Sequence, residues 1–281
     1  MEKYQEIIMD KTIFLNSLVS KKNDSYKNIN GRSLIIAGSY GYAGAAIMNL
    51  LGALHTNNGY NTALIDESIY PIVSCQAIEA VYHFTNNYNL KNLIDNNDAV
   101  LFGSGAVNMI NKKAIFDELL QKSTIPLILD GEAFNLLKFN TYLLNYAHCP
   151  LILTPHLGEF ARITHTDIQL IKQDPLKYAK AFVNSYPVTL VLKSEHTIVI
   201  NQHQYYINQT GNPVLAKAGS GDILAGLMVG FLSQEKDCFQ VATKAVYLAG
   251  ALADLAVSHH HPLTILPKDI LKELDNFLKI S

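Results

Sequence analysis

This 281-residue chain has no tryptophan, only three cysteines, no long uninterrupted apolar run and almost no excess of either charge. Each shortage closes off a class of protein. Cys75, Cys149 and Cys238 are an odd set without paired or metal-like spacing, so no disulfide framework is expected and the reducing cytosol suits the chain. The longest apolar stretch, residues 223–232, is about half of what a bilayer crossing requires, and its glycines mark a buried helix; no membrane span is expected. Residues 1–10 alternate charged and apolar side chains without the basic-then-apolar order of an export signal. Lys and Arg total 22 against 24 Asp and Glu, a formal charge of -2. That balance supplies no field for nucleic acid or an anionic membrane, so any anionic ligand must be held locally.

What is abundant is apolar surface, 49% of the residues, enough to bury a substantial core. Residues 1–30 are polar and mixed and read as a helix followed by a loop, an extension ahead of one domain over residues 31–281. From there, short runs of Ile, Leu and Val recur at residues 33–37, 62–65, 99–102, 126–129, 151–154 and 189–192, most of them separated by helical stretches. Such alternation predicts an α/β fold with a doubly wound, mainly parallel sheet and helices on both faces. Strands this apolar are covered on both sides. Residues 197–201 and 204–208, two residues apart, predict an antiparallel hairpin at one edge. Apolar helices are predicted over residues 222–233 and 240–258, and an amphipathic one over 267–278.

Open parallel sheets bind ligands beyond the carboxyl ends of their strands, so the residues just after each apolar run carry the functional expectation. The strongest segment is Ala218-Gly219-Ser220-Gly221-Asp222, which leads into an apolar helix. Gly219, Ser220 and Gly221 read as an anion hole: glycine admits close backbone approach, and free amides plus the helix dipole supply positive potential. Asp222, in the first turn, is placed to take a proton from a hydroxyl while those amides stabilise a transferring phosphoryl group; an isolated Gly-Asp pair is more often a plain helix cap. The dipole is expected to keep Asp222 ionised, and so a weak base. Gly38, Gly41 and Gly44 follow the first strand. They lack the Lys-Ser/Thr ending of a P-loop and the spacing of a dinucleotide fingerprint, and alone they mean a flexible turn.

Thr154-Pro155-His156-Leu157-Gly158-Glu159-Phe160 ends another strand, where His156 and Glu159 either reach a ligand or form a capping box. Lys193 ends a further strand and suits nucleotide phosphates, against the plainer reading of an exposed lysine. Asp130 either assists a magnesium-bound phosphate or holds a neighbouring loop. Asn212, in Gly211-Asn212-Pro213 just upstream of the anion hole, is a further supporting candidate. His259-His260-His261 precede Pro262 at a helix end, where they complement the dipole and stay solvated; no residue is assigned as a metal ligand.

Taken in order, these segments resemble the ADP/ATP-dependent NAD(P)H-hydrate dehydratases, a ribokinase-like family, over residues 31–270. The motifs that carry the likeness are residues 154–162 and Gly211-Asn212-Pro213 followed by residues 218–226. The resemblance implies that Lys193, Ser194, Glu195, His196, Thr197 and Gly221 contact the nucleotide, and that Ala45, Gly105, His156 and Asp222 line the site for the hydrated nicotinamide ring, with Asp222 as the base. It implies that ADP, or ATP, phosphorylates the ring hydroxyl of the S epimer with magnesium offsetting charge, that NADH hydrate or NADPH hydrate is the substrate, that the protein is a homo-oligomer, and that a separate epimerase acts on the same metabolite. Gly103-Ser104-Gly105-Ala106 departs from the family's Gly-Pro-Gly-Leu-Gly loop, Lys217 takes a usual Thr position and adds a cation beside the anion hole, and Ala249 stands where His is common. Residues 70–79 lack an expected Leu-Pro-Glu segment. The rival readings are an ATP-dependent kinase of a vitamin precursor on the same fold and a nucleotide-binding relative without catalysis.

Overall fold

Short runs that are apolar at every position cannot face water on either side, and here they make the middle of a sheet. The computed structural model describes residues 4–18 and 30–279. Its first elements are β1 (Gln5–Glu6), α1 (Lys11–Asn16), β2 (Arg32–Ile36), α2 (Ala43–Leu54), β3 (Tyr60–Ile65), α3 (Tyr70–Ser74), β4 (Val81–Phe84) and α4 (Leu90–Asp95). There follow β5 (Ala99–Phe102), α5 (Lys112–Lys122), β6 (Leu127–Leu129), α6 (Glu132–Leu137), β7 (Leu151–Leu153), α7 (Leu157–Thr164), α8 (Ile168–Gln173) and α9 (Pro175–Ser185). The chain then runs through β8 (Thr189–Leu192), β9 (Ile198–Ile200), β10 (Gln204–Ile207), α10 (Ser220–Leu232), α11 (Cys238–His259) and α12 (Leu274–Lys279).

The strands lie in the order β1-β10-β9-β8-β7-β6-β5-β2-β3-β4, parallel throughout except that β9 opposes both β8 and β10. Successive side chains of a strand point to opposite faces. Ile35 of β2 and Leu101 of β5 therefore enter one core with α2, α10 and α11, while Leu34, Ile36, Val100 and Phe102 enter the other with α4 to α7 and α9. This is the doubly wound arrangement with helices on both faces. Helix α11 is long and apolar enough to cross a membrane by length and composition, but 72% of its most apolar window is buried among these elements, as in a core helix.

The structure adds to and corrects the sequence reading in four places. The hairpin of β9 and β10 is not at the edge, because β1 pairs with β10 beyond it. Two-residue β1 and half-exposed β4 carry too little apolar signal to read as strands. Residues 11–16 do form a helix, and Phe14 drives it into the core against Tyr247 and Phe277; the loop expected around residues 21–25 lies outside the described residues. Residues 267–278 are not one α-helix but a seven-residue 3-10 helix, Pro267–Glu273, followed by α12. Its three-residue repeat stacks Ile270 over Glu273, and both are turned inward.

From β2 the chain moves to β3 and β4 on one side, whereas β5 to β8 extend on the other. Such a reversal opens a crevice at the carboxyl ends of the two strands that flank it. Here those strands are β2 and β5, and the amide of Gly38 donates across them to the carbonyl of Ser104 (2.8 Å).

Candidate active site

The crevice is walled by two glycine turns. Gly105 has φ +61, and a Cβ there would stand 2.6 Å from the Cβ of Ala45, so only glycine lets the two turns touch. The Ser39 hydroxyl donates to the carbonyl of Gly105 (2.8 Å) and accepts from the amide of Asn108 (3.0 Å), tying the turns together. Ala45 and Gly105, both implicated in the ring site by resemblance, are thus neighbours.

Beneath this contact lies Asp130, just after β6. Ser104 Oγ donates to its Oδ2 (2.8 Å), while Thr154 Oγ1 (2.7 Å) and Lys193 Nζ (3.0 Å) donate to its Oδ1. Burial pushes the Asp130 carboxyl up, but the Lys193 ammonium and the two hydroxyls outweigh it and hold the group below its ordinary range. Burial pulls Lys193 down, and the Asp130 and Glu159 carboxylates more than reverse that. Of the two roles expected for Asp130, the contacts realise that of holding loops.

Beyond β7, α7 opens on a capping box. His156 Nδ1 accepts from the amides of Gly158 (3.0 Å) and Glu159 (3.2 Å), and Glu159 Oε2 accepts from the amide of His156 (2.8 Å). With Nδ1 accepting, the proton of a neutral His156 sits on Nε2, 3.5 Å from Glu159 Oε1. Burial, then the charges of Lys193 and Arg162, lower the pKa of this imidazole. Burial raises that of Glu159 against the pull of Lys193.

His156 also bridges in parallel to Lys193, whose amide donates to the carbonyl of Pro155 (2.9 Å). Residues 193–197 then close on themselves: Thr197 Oγ1 donates to the carbonyl of Ser194 (3.1 Å), and Ser194 Oγ to that of His196 (2.9 Å). Glu195 and His196 project outward from this closed loop.

The third component is the start of α10. Gly219, at φ +100, turns the chain, and Ser220, Gly221 and Asp222 are its first three helical residues. A Cβ on Gly221 would stand 3.4 Å from Lys193 Nζ, which brings the anion hole against the nucleotide-side loop. The buried Ser220 hydroxyl has no hydrogen-bond partner among the described residues. Half-buried Asp222 behaves differently from the expectation of a dipole-held anion. Burial first, and the charge of Asp130 second, push it up to about 6 against Lys193, outweighing a dipole effect of ~1 kcal/mol or less. Asp222 is therefore a stronger base than an ordinary aspartate.

Other expectations are revised. The Lys217 ammonium donates to the carbonyls of Pro262 and Ile265. His259 and His260 are not simply solvated: they approach the two oxygens of buried Glu273 at 2.9 and 3.5 Å. Asn212 is engaged by Asp254 (2.9 Å), which also accepts from the amide of Gly211 (2.8 Å), so it anchors its loop to α11. Ala249 is buried within α11, and Tyr70, in the divergent 70–79 segment, packs edge-on against Tyr82 and Phe84. Among the described residues no group of three His, Cys, Asp or Glu side chains is arranged to hold a metal. Sequence reasoning overlooked Ser104 and Thr154 as partners of Asp130, though both follow strands. It also overlooked Asn49, whose signal was a lone amide in the apolar run of α2.

A mainly parallel sheet with a glycine-bounded helix start and its first-turn Asp near the switch point defines a ribokinase-like α/β enzyme. Residues 33–276 match the family model described as NAD(P)H-hydrate dehydratase, and the chain belongs to that family. It is 30% identical over 275 residues to the ADP-dependent (S)-NAD(P)H-hydrate dehydratase of Enterococcus faecalis, covering 96% of this chain and 92% of that one. It is also 30% identical to a bifunctional NAD(P)H-hydrate repair enzyme of Moorella thermoacetica, but spans only about half (52%) of that protein's length while 94% of this chain is covered. The crystal structure of the ADP/ATP-dependent NAD(P)H-hydrate dehydratase of Bacillus subtilis, co-crystallised with ATP and Mg2+, superposes with a TM-score of 0.86 at 29% identity and 96% coverage of both chains.

Proposed function

We propose that this chain removes water from the S epimer of NAD(P)H hydrate with ADP as phosphoryl donor, restoring NAD(P)H. The observation that carries the reading is Asp222, a basic carboxylate in the first turn of α10 beside the anion hole and Lys193. A hydroxyl is a poor leaving group, and a phosphoester is a good one. Asp222 accepts the ring hydroxyl proton as that oxygen bonds to the terminal phosphorus of ADP, releasing AMP. The amides of Gly219, Ser220 and Gly221 and the spare Ser220 hydroxyl meet the charge that develops on the phosphoryl oxygens. Phosphate then departs with the carbon–oxygen bonding pair, and loss of a proton from the adjacent ring carbon restores the double bond. Residues 193–197 and Gly221 hold the nucleotide, and Ala45, Gly105 and His156 hold the hydrated ring.

Magnesium, in this reading, arrives with the nucleotide and offsets phosphate charge, since the described side chains alone do not form a site for it. The cytosol is the proposed compartment, in keeping with three free cysteines. A homo-oligomer and an epimerase acting on the same metabolite complete the proposal; the Moorella relative is named a bifunctional NAD(P)H-hydrate repair enzyme. The test is recovery of the reduced-nicotinamide absorbance from the separated hydrate epimers with ADP or ATP. Recovery from the S epimer with ADP is expected. Nucleotide binding without recovery from either epimer would overturn the reading.

A further inference from the structure

Asp130 has no exposed carboxylate to offer a ligand, yet it bonds to three of the loops that build the site. Its side chain is 4% exposed, Oδ2 is taken by Ser104, and Oδ1 is shared by Thr154 and Lys193. Each partner is the last fixed point before a loop with a proposed task. Ser104 precedes Gly105, Thr154 lies two residues before His156, and Lys193 opens the 193–197 loop. The backbone reinforces the hub: the amide of Asp130 donates to the carbonyl of Phe102 (3.0 Å), and a Cβ on Gly103 would fall 2.0 Å from the Asp130 carbonyl. Four strand ends, those of β5, β6, β7 and β8, thus converge on one buried charge.

We propose that Asp130 is a positioning residue, whose single buried charge fixes the substrate-side and nucleotide-side loops in one register and sets the electric field in which Asp222 works. The proposal rests on the dehydratase reading for the tasks of the loops, but the hub itself is independent of it. Two carboxylates, Asp130 and Asp222, share one ammonium, that of Lys193, which bonds Asp130 at 3.0 Å and lies 3.4 Å from where a Cβ on Gly221, next to Asp222, would stand. Glu159 and His156 also interact with Lys193, and Arg162 acts on those two in turn. Neutralising Asp130 removes a repulsion from Asp222 and frees Lys193 to act on it more fully. Both changes favour the ionised form of Asp222, so its titration must move toward lower pH.

The test uses the full chain carrying Asp130→Asn, with the Asp222 carboxyl followed by carbon-13 NMR against pH and assigned by its disappearance in Asp222→Asn. A downward shift of roughly one unit is expected. A folded Asp130→Asn protein whose Asp222 titrates as before would overturn the proposal, and this readout stands even if the hydrate is not the substrate. Should Asp130→Asn fail to fold, Ser104→Ala cuts one arm of the hub and leaves the charge. In that variant KM for the hydrate is expected to rise about tenfold, because the Gly105 turn loses its anchor, while ADP affinity by calorimetry stays within roughly twofold. A purely structural serine would lower Tm without separating the two ligands, and that outcome also counts against the hub.

Discussion

The side-chain amide of Asn49 donates to the main-chain carbonyl of Asp222 over 2.7 Å, so the proposed base is held by a helix other than its own. Asn49 lies one helical turn beyond Ala45 on α2, on the face that packs against α10. Ala45 on the substrate side and the proposed base therefore sit on one packed helix pair. Its closeness depends on Gly52 and Gly226, where added Cβ atoms would meet the opposing backbone at 2.6 and 2.2 Å.

Gly226→Ala tests that closeness. Alanine favours a helix by about 1 kcal/mol over glycine, so at an unconstrained position it would stabilise. Here the new methyl is driven into the carbonyl of Asn49, and the helices must part. A net loss of ~1–3 kcal/mol in urea unfolding is expected, together with a fall in kcat from displacement of Asp222. Wild-type stability would mean that α2 and α10 adjust without strain.

Asp222→Asn removes the proposed base while retaining the shape of the side chain. Turnover is expected to fall about 10²- to 10⁴-fold, the usual range for a general base. ADP affinity should change little, because Lys193 and the anion hole remain. Single-turnover rates and calorimetric ADP binding decide it, and near-normal turnover would remove Asp222 from the chemistry.

Lys193→Met is expected to affect the fold as well as the nucleotide. The substitution leaves Asp130 buried opposite an apolar chain, a loss that typically costs about 3–5 kcal/mol. Adding Asp130→Asn should return part of that stability, since the uncompensated charge disappears. Unfolding of the two single variants and the double variant measures the coupling. Strict additivity would show that the ion pair contributes nothing to stability.

The central strands were legible because burial on both faces leaves no polar residue to interrupt them, as in Leu34-Ile35-Ile36. The Gly219 to Asp222 helix start was legible because glycine and a first-turn acid leave a local signature. Pairings across the sheet were not. Nothing near Ser104 in sequence says that its hydroxyl will meet Asp130, 26 residues on, or that Lys193 will arrive from 63 residues away. For the same reason, nothing near Lys217 in sequence says that its ammonium will meet the carbonyls of Pro262 and Ile265, which follow α11. The ionisation of Asp222 was misjudged because a helix dipole is readable from sequence, whereas burial and a distant carboxylate are not.

That ionisation gives the protein a pH-dependent liability of known sign. The carboxyl of Asp222 titrates at about 6 in the folded chain against an ordinary 3.8, a raised value. A group raised on folding lends its full stabilisation below the unfolded value and loses it as pH climbs through the folded one. Wild-type protein should therefore carry a cost above about pH 6 that Asp222→Asn does not. Asp130, held below its ordinary range, acts in the other direction: its contribution is present above the unfolded value and is lost only in stronger acid. Between these limits the stability advantage of Asp222→Asn over wild type should grow from near pH 4 to a plateau somewhat above 6. Urea midpoints for both proteins at a series of pH values measure it. An advantage that does not vary with pH would mean that Asp222 titrates as it does in the unfolded chain, and its standing as a base stronger than an ordinary aspartate would fall with it.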